Sequence, residues 1–105
     1  MFTGNEDHSI SLTDAAVLTK AYRLLAGPFS IQGHYFSKTA LLGVLNQTNA
    51  VGIRIYYGSS ALLGPKLVVV GVNADGEDLT SGYVLDHSAQ CPPNCSSANL
   101  LNSDL

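Results

Sequence analysis

The pattern of apolar and polar positions changes period once along the chain. From Ser11 onward apolar residues recur at helical spacing. Leu18, Ala21, Tyr22 and Leu25 follow the i, i+3, i+4, i+7 rule, and Val17 and Leu24 widen the stripe. Ser11 and Asp14 have the Ser-x-x-Asp form of a capping box, with Ile10 just before the cap. Lys20 and Arg23 fall on the opposite face, where solvent is expected to reach them. Gly27 offers a left-handed cap and Pro28 forbids continuation. The pattern predicts a helix over 12–26, preceded by a polar lead-in. Residues 28–36 read as a connector containing Gly33. Ser37 caps a second predicted helix that ends near Gln47, with Phe36 and Leu41 placed as a hydrophobic staple. Its Leu41, Leu42, Val44 and Leu45 are expected to be mostly buried.

Beyond Gln47 the period falls to two. Val51, Ile53, Ile55 and Tyr57 alternate with Gly52, Arg54 and Tyr56, which predicts a strand. Residues 58–65 read as a loop. Lys66 to Val72 have almost no alternation, as suits a strand covered on both faces. Asn73-Ala74-Asp75-Gly76 is a turn sequence, and Tyr83 to Asp86 read as a short third strand. Residues 88–105 are rich in Ser, Asn and Pro, with Leu100 and Leu101 as the obvious anchors. The order predicts one α+β domain over 1–105: two N-terminal helices packed on a three-stranded antiparallel β-meander, with an irregular C-terminal tail.

Composition sharpens this picture. Of 105 residues, 46% are hydrophobic, enough to build a core. Only 12% are charged, about half the usual share, which leaves few charges for a lone monomer's surface. A net charge of −3 gives no cationic field, so a nucleic-acid partner is not expected. No run approaches the roughly 18 apolar residues of a membrane span. The first residues lack the basic start and apolar stretch of a secretory leader, so the expected compartment is the cytoplasm. Two helices cover one face of three strands. The other face, with Tyr56, Val68 and Val70, then has no cover, and the sheet edges invite pairing. The expectation is a structural or interaction protein that forms a homomeric oligomer or filament. Tyr56, Val68, Val70, Leu100 and Leu101 are the expected contact residues. The competing reading folds the tail across that second face.

Chemistry-bearing residues are sparse. His87, Cys91 and Cys95, in His-x-x-x-Cys-Pro-Pro-Asn-Cys, are ligand types that zinc prefers, with His34 or His8 as a fourth. The alternatives are a small disulfide ring and two free thiols flanking a rigid turn. No resident cofactor is expected otherwise, zinc being the alternative. Asp86-His87-Ser88 holds the residue types of a catalytic triad, but consecutive strand side chains point to opposite faces and cannot converge. Asn73-x-Asp75-Gly76-x-Asp78 is out of register for a calcium loop, because Gly71 and Gly82 fall where ligands belong. No glycine pattern cradles phosphate. No nucleophile has an activating base, so no catalytic activity is expected.

Three segments carry a resemblance: Val51-Gly52-Ile53-Arg54-Ile55-Tyr56-Tyr57-Gly58, then Leu67 to Gly76, then Cys91-Pro92-Pro93-Asn94-Cys95. The Gly33 to Ser37 segment and Asn99-Leu100-Leu101-Asn102 extend it. Together they resemble a family of small uncharacterised proteins common in Bacteroidota-type bacteria. The resemblance spans almost the whole chain and implies a cytoplasmic bacterial protein. It brings no activity, catalytic residue or role for the cysteines.

Overall fold

Capping chemistry delimits both helices. In the computed structural model, which describes residues 1–104, helix α1 runs Leu12–Ala26 and the Ser11 hydroxyl accepts the Asp14 amide at 3.0 Å. Gly27 ends the helix at φ 93°, a conformation open to glycine, and its amide returns to the Arg23 carbonyl. Helix α2, Lys38–Leu45, opens the same way on Ser37, which accepts the Ala40 amide. The strands are β1 (Gly33–Tyr35), β2 (Gly52–Ser60), β3 (Gly64–Val72), β4 (Val84–Leu85) and β5 (Ala89–Cys91). They form two antiparallel sheets, β2-β3-β4 and β1-β5. The protein is a small α+β protein.

The chain divides into two compact units that interleave in sequence. The first comprises Met1–Glu6 and Phe36–Ser88; the second comprises Asp7–Tyr35 and the C-terminal segment from Ala89.

In the first unit β2 and β3 pair over nine positions, from Gly52 opposite Val72 to Ser60 opposite Gly64. Both strands therefore reach into the segment expected to be a loop, and the connection shrinks to a tight turn. Helix α2 lies against these two strands. The core is Val44 of α2 with Val69, Val70 and Val72 of β3, all under a twentieth exposed. Gly71 stands where a Cβ would meet Val44, Leu79 and Gln47 within 3.4 Å, so a bare backbone lets α2 approach the strand. Leu42 and Leu45, expected inside, are about two-fifths exposed. An eight-residue helix has a single inward row, and Val44 fills it. The lead-in is tied down: Phe2 donates its amide to the Ala74 carbonyl at 2.8 Å, and Glu6 accepts the Thr3 and Gly4 amides.

The second unit is built from α1, the two-stranded sheet and the tail. In that sheet Gly33, His34 and Tyr35 pair with Cys91, Gln90 and Ala89. Neither strand stood out in the sequence, because three residues are too few to establish a period. The tail is held by its own amides and hydroxyls. Asn99 Oδ1 accepts the Leu101 amide and Asn102 Oδ1 accepts the Asn99 amide, both at 2.8 Å. Asn102 also donates to the Ser96 and Ser97 carbonyls. Short polar side chains thus replace secondary structure as the partners of the tail's backbone.

Candidate interaction surface

Helix α1 is turned over relative to its own pattern. None of its fifteen residues is buried. The half-buried side holds Ala15, Ala16, Thr19 and Arg23. The apolar stripe expected to face a core is open instead: Val17 and Leu18 are 64% exposed, Leu24 77% and Leu25 88%. Phe29, just past the helix, is 94% exposed.

The cause is the position of the tail. Arg23, expected in solvent, donates from Nη1 to the Leu101 carbonyl at 2.9 Å and from Nη2 to Asp104 Oδ1 at 3.2 Å. Lys20 approaches the same carboxylate at 3.9 Å. These bonds hold the tail to the polar side of the helix. The stripe is left without cover from its own unit. Leu18, Thr19, Tyr22, Arg23, Gln32 and Leu101 line a half-open hollow of about 180 Å³, and a wider, shallower one of about 450 Å³ lies between Arg23, Leu24, Pro28 and Asp104.

The cysteines lie at one end of the second unit. Cys91 and Cys95 are joined as a disulfide. The bridge closes the turn that ends β5, and the Cys91 carbonyl accepts the Gln32 amide at 2.7 Å. Of the three alternatives read from the spacing, the disulfide ring is the one present. Oxidised sulfurs offer no thiolate to a metal. His87 belongs to the first unit, exposed, with φ at 51°. Among the described residues no three His, Cys, Asp or Glu side chains converge as a metal site. A zinc reading therefore concerns the reduced chain alone.

The expected contact residues separate. Val70 is a core residue, 4% exposed, flanked by Arg54 on β2 and Val84 on β4. It leaves the candidate surface, because the sheet face it shares with Arg54 and Val84 is covered at that point and not open. Val68 is half-buried. Tyr56, Leu100 and Leu101 are roughly two-fifths to one-half exposed.

Tyr56 has acquired a partner that sequence reasoning missed. Its hydroxyl donates to Asp78 Oδ2, while Arg54 Nη1 donates to Asp78 Oδ1 and to the Gly76 carbonyl. The Tyr56 hydroxyl, and after it the Arg54 guanidinium, holds the Asp78 carboxyl below its usual range. Asp78 in turn raises the pKa of Tyr56 and of Arg54. The period-two pattern placed Arg54 and Tyr56 on one face, but nothing marked Asp78 as their partner. The turn that carries Asp78 is self-contained. Asn73 Oδ1 accepts the Asp75 and Glu77 amides, and Gly76 takes φ 83°. Its oxygens are thus spent on backbone and on Arg54 and Tyr56. Lys66 forms a second pair, 3.1 Å from Asp86, and lowers the pKa of that carboxyl, with help from the His87 amide.

No helix among the described residues is long and apolar enough to cross a membrane. No family model matches the chain, and neither the curated proteins nor the solved structures contain a significant match to it.

Proposed function

We propose that this chain is a structural or interaction protein whose working form is a homomeric assembly. One observation carries the reading: the longest helix leaves its apolar stripe to solvent. The described chain exposes 7548 Å². Two independent compact bodies sharing its mass would expose roughly 6,800 Å² in total. Large apolar side chains gathered on one exposed face, as Val17, Leu18, Leu24 and Leu25 are, mark an association site. The low charge points the same way, since few residues are available to keep such a surface solvated.

The driving surface differs from the one expected. The valines of β3 are sheltered inside the first unit, so the argument moves from the sheet face to α1. Sedimentation velocity of the purified chain over a wide concentration range tests the reading. The expected result is a species heavier than 11.0 kDa whose fraction grows with concentration. A single 11.0 kDa species at the highest attainable concentration would overturn it.

The cytoplasmic placement belongs to the same proposal, and the sulfurs test it. A closed Cys91–Cys95 bridge persists in oxidising compartments and is reduced in the cytosol. Thiol-trapping mass spectrometry of freshly lysed cells should find both cysteines alkylated; quantitative protection from the reagent would move the protein elsewhere.

A further inference from the structure

Resting on the self-association reading, we propose that the assembly contact is an antiparallel two-fold pair of α1 helices crossing at Ala21. The exposed stripe is symmetric about that residue. Val17 and Leu18 precede it by four and three positions, and Leu25 and Leu24 follow it by four and three. Residues three and four apart share a helix face. All five are exposed. A two-fold axis through Ala21, perpendicular to the helix, sets Val17 against Leu25 of a second copy and Leu18 against its Leu24.

Self-complementarity of this kind is what an isologous interface requires. The smallest side chain lies at the crossing, where the two backbones come nearest and large side chains would hold them apart. Lys20 and Tyr22 lie about 100° to either side of Ala21, at the two solvent edges of the seam, and Thr19 and Arg23 lie on the far side of the helix, so the seam itself is apolar. Arg23 is already turned to Leu101 and Asp104, which keeps it out of the seam.

The exposed parts of Val17, Leu18, Leu24 and Leu25 amount to on the order of 500 Å² per chain, so a pair buries about 1,000 Å², the lower end of what a specific interface needs. A partner of other chemistry would need its own apolar stripe of matching spacing, and a second copy brings one by construction. A two-fold contact closes on itself and gives a dimer, so a filament would need a further surface.

The test uses the full-length chain and two independent readouts. Leu25→Asp places a charge opposite Val17 of the second copy in both halves of the seam. It is expected to weaken association by roughly a hundredfold or more, leaving the circular-dichroism spectrum unchanged. Ala21→Cys places two thiols at the crossing, where mild oxidation should give a covalent dimer on non-reducing gels. Ala16→Cys, on the half-buried side, should give none. The cysteine pair decides the matter even if Leu25→Asp fails to fold. If the chain associates but Ala21→Cys does not cross-link above Ala16→Cys, the α1 pairing is wrong while self-association stands. If the wild type never exceeds monomer mass, both fail.

Discussion

Among the described residues the four buried hydrophobic side chains, Val44, Val69, Val70 and Val72, lie in the first unit, whereas the helix of the second unit buries none of its fifteen residues. The two units share a composition but not a means of staying folded. The first relies on a valine layer on each face of β3, Val69 on the side of Val44 and α2 and Val70 with Val72 on the other, and on a nine-position strand pairing. The second relies on directional ties: a disulfide, a three-residue sheet, the Asn99–Asn102 turn and the grip of Arg23 on the tail. Apolar side chains are not what the second unit lacks. They are present on α1 and face outward. A small fold can thus be held by polar and covalent contacts while its greasiest surface stays free for a partner.

The sharpest way to break this comparison is to place the same charge in each unit. Val70→Asp puts a carboxylate into the core of the first unit without a partner, at a cost of about 5 kcal/mol or more. That approaches the whole stability of a small domain. Leu25→Asp on α1 should change the folding stability of the dilute monomer by less than about 0.5 kcal/mol. Urea unfolding followed by circular dichroism measures both. Equal losses would mean that α1 is packed as a core helix after all.

Reduction of the disulfide comes next. The Cys91–Cys95 bridge closes so short a loop that its entropic contribution is about 2 kcal/mol. Because β5 is continuous with that loop, reduction should loosen the β1-β5 sheet and leave the valine layers intact. Hydrogen exchange with and without reductant should show faster exchange at Gln32 and at the paired residues 33–35, with β3 unchanged. Uniform acceleration across both units would instead show that the bridge supports the whole molecule.

Much of the architecture was legible in the sequence, and the failures share one cause. The limits of α1 follow from Ser11 and Gly27, local signals that act through the backbone of their own turn. The pairing of β2 with β3 follows from alternation and from the Leu67–Val70 run. What could not be read was which side of an element finds its cover. The stripe of α1 is a correct helical pattern, yet the Ser- and Asn-rich tail holds the other side through Arg23. Strands β1 and β5 are too short for any period to show. His87, Cys91 and Cys95 looked like one cluster because they are near in sequence, but the bridge unites only two of them. Arg54 and Asp78 lie 24 positions apart, and no local rule joins them.

A smaller effect sharpens the account of the first unit. Gln47 latches the end of α2 to the loop before β4. Its Oε1 accepts the Tyr83 amide at 2.9 Å and its Nε2 donates to the Val44 carbonyl at 2.8 Å. A Cβ on Gly82 would lie 1.8 Å from that Oε1. Gly82→Ala should therefore expel the flexible Gln47 side chain rather than move backbone, at the cost of one hydrogen bond, about 1 kcal/mol. Gln47→Ala should cost a similar amount. The double variant should cost little more than either alone, because both remove one latch. Full additivity in chemical denaturation would show that the two residues act separately.

The smallest expected effect is a pH dependence to which Asp78 of the first unit contributes, beside Asp7 of the second, whose carboxyl the Ser9 hydroxyl and amide hold below its usual range. The Asp78 carboxyl titrates below its ordinary 3.8, held first by the Tyr56 hydroxyl and then by Arg54. In the unfolded chain it returns to that ordinary value. Above it Asp78 is ionised in both states and its stabilising contribution is complete. As the pH falls below it toward the folded-state value, the unfolded chain takes up the proton first and the contribution is lost. Asp86, lowered by Lys66 and by the His87 amide, moves in the same direction and adds to the same acid limb. Asp78→Asn should therefore lower the neutral-pH melting temperature slightly and flatten the decline below about pH 4, leaving the shares that Asp86 and Asp7 supply. Asp104→Asn is the matched change in the second unit. Its carboxylate is 70% exposed, and exposed pairs of this kind contribute little, so the change should leave the neutral-pH melting temperature almost unmoved. Thermal melts of the three proteins across acid pH would decide: a slope in Asp78→Asn parallel to wild type would remove the Arg54–Tyr56–Asp78 clasp from the forces that hold the first unit together.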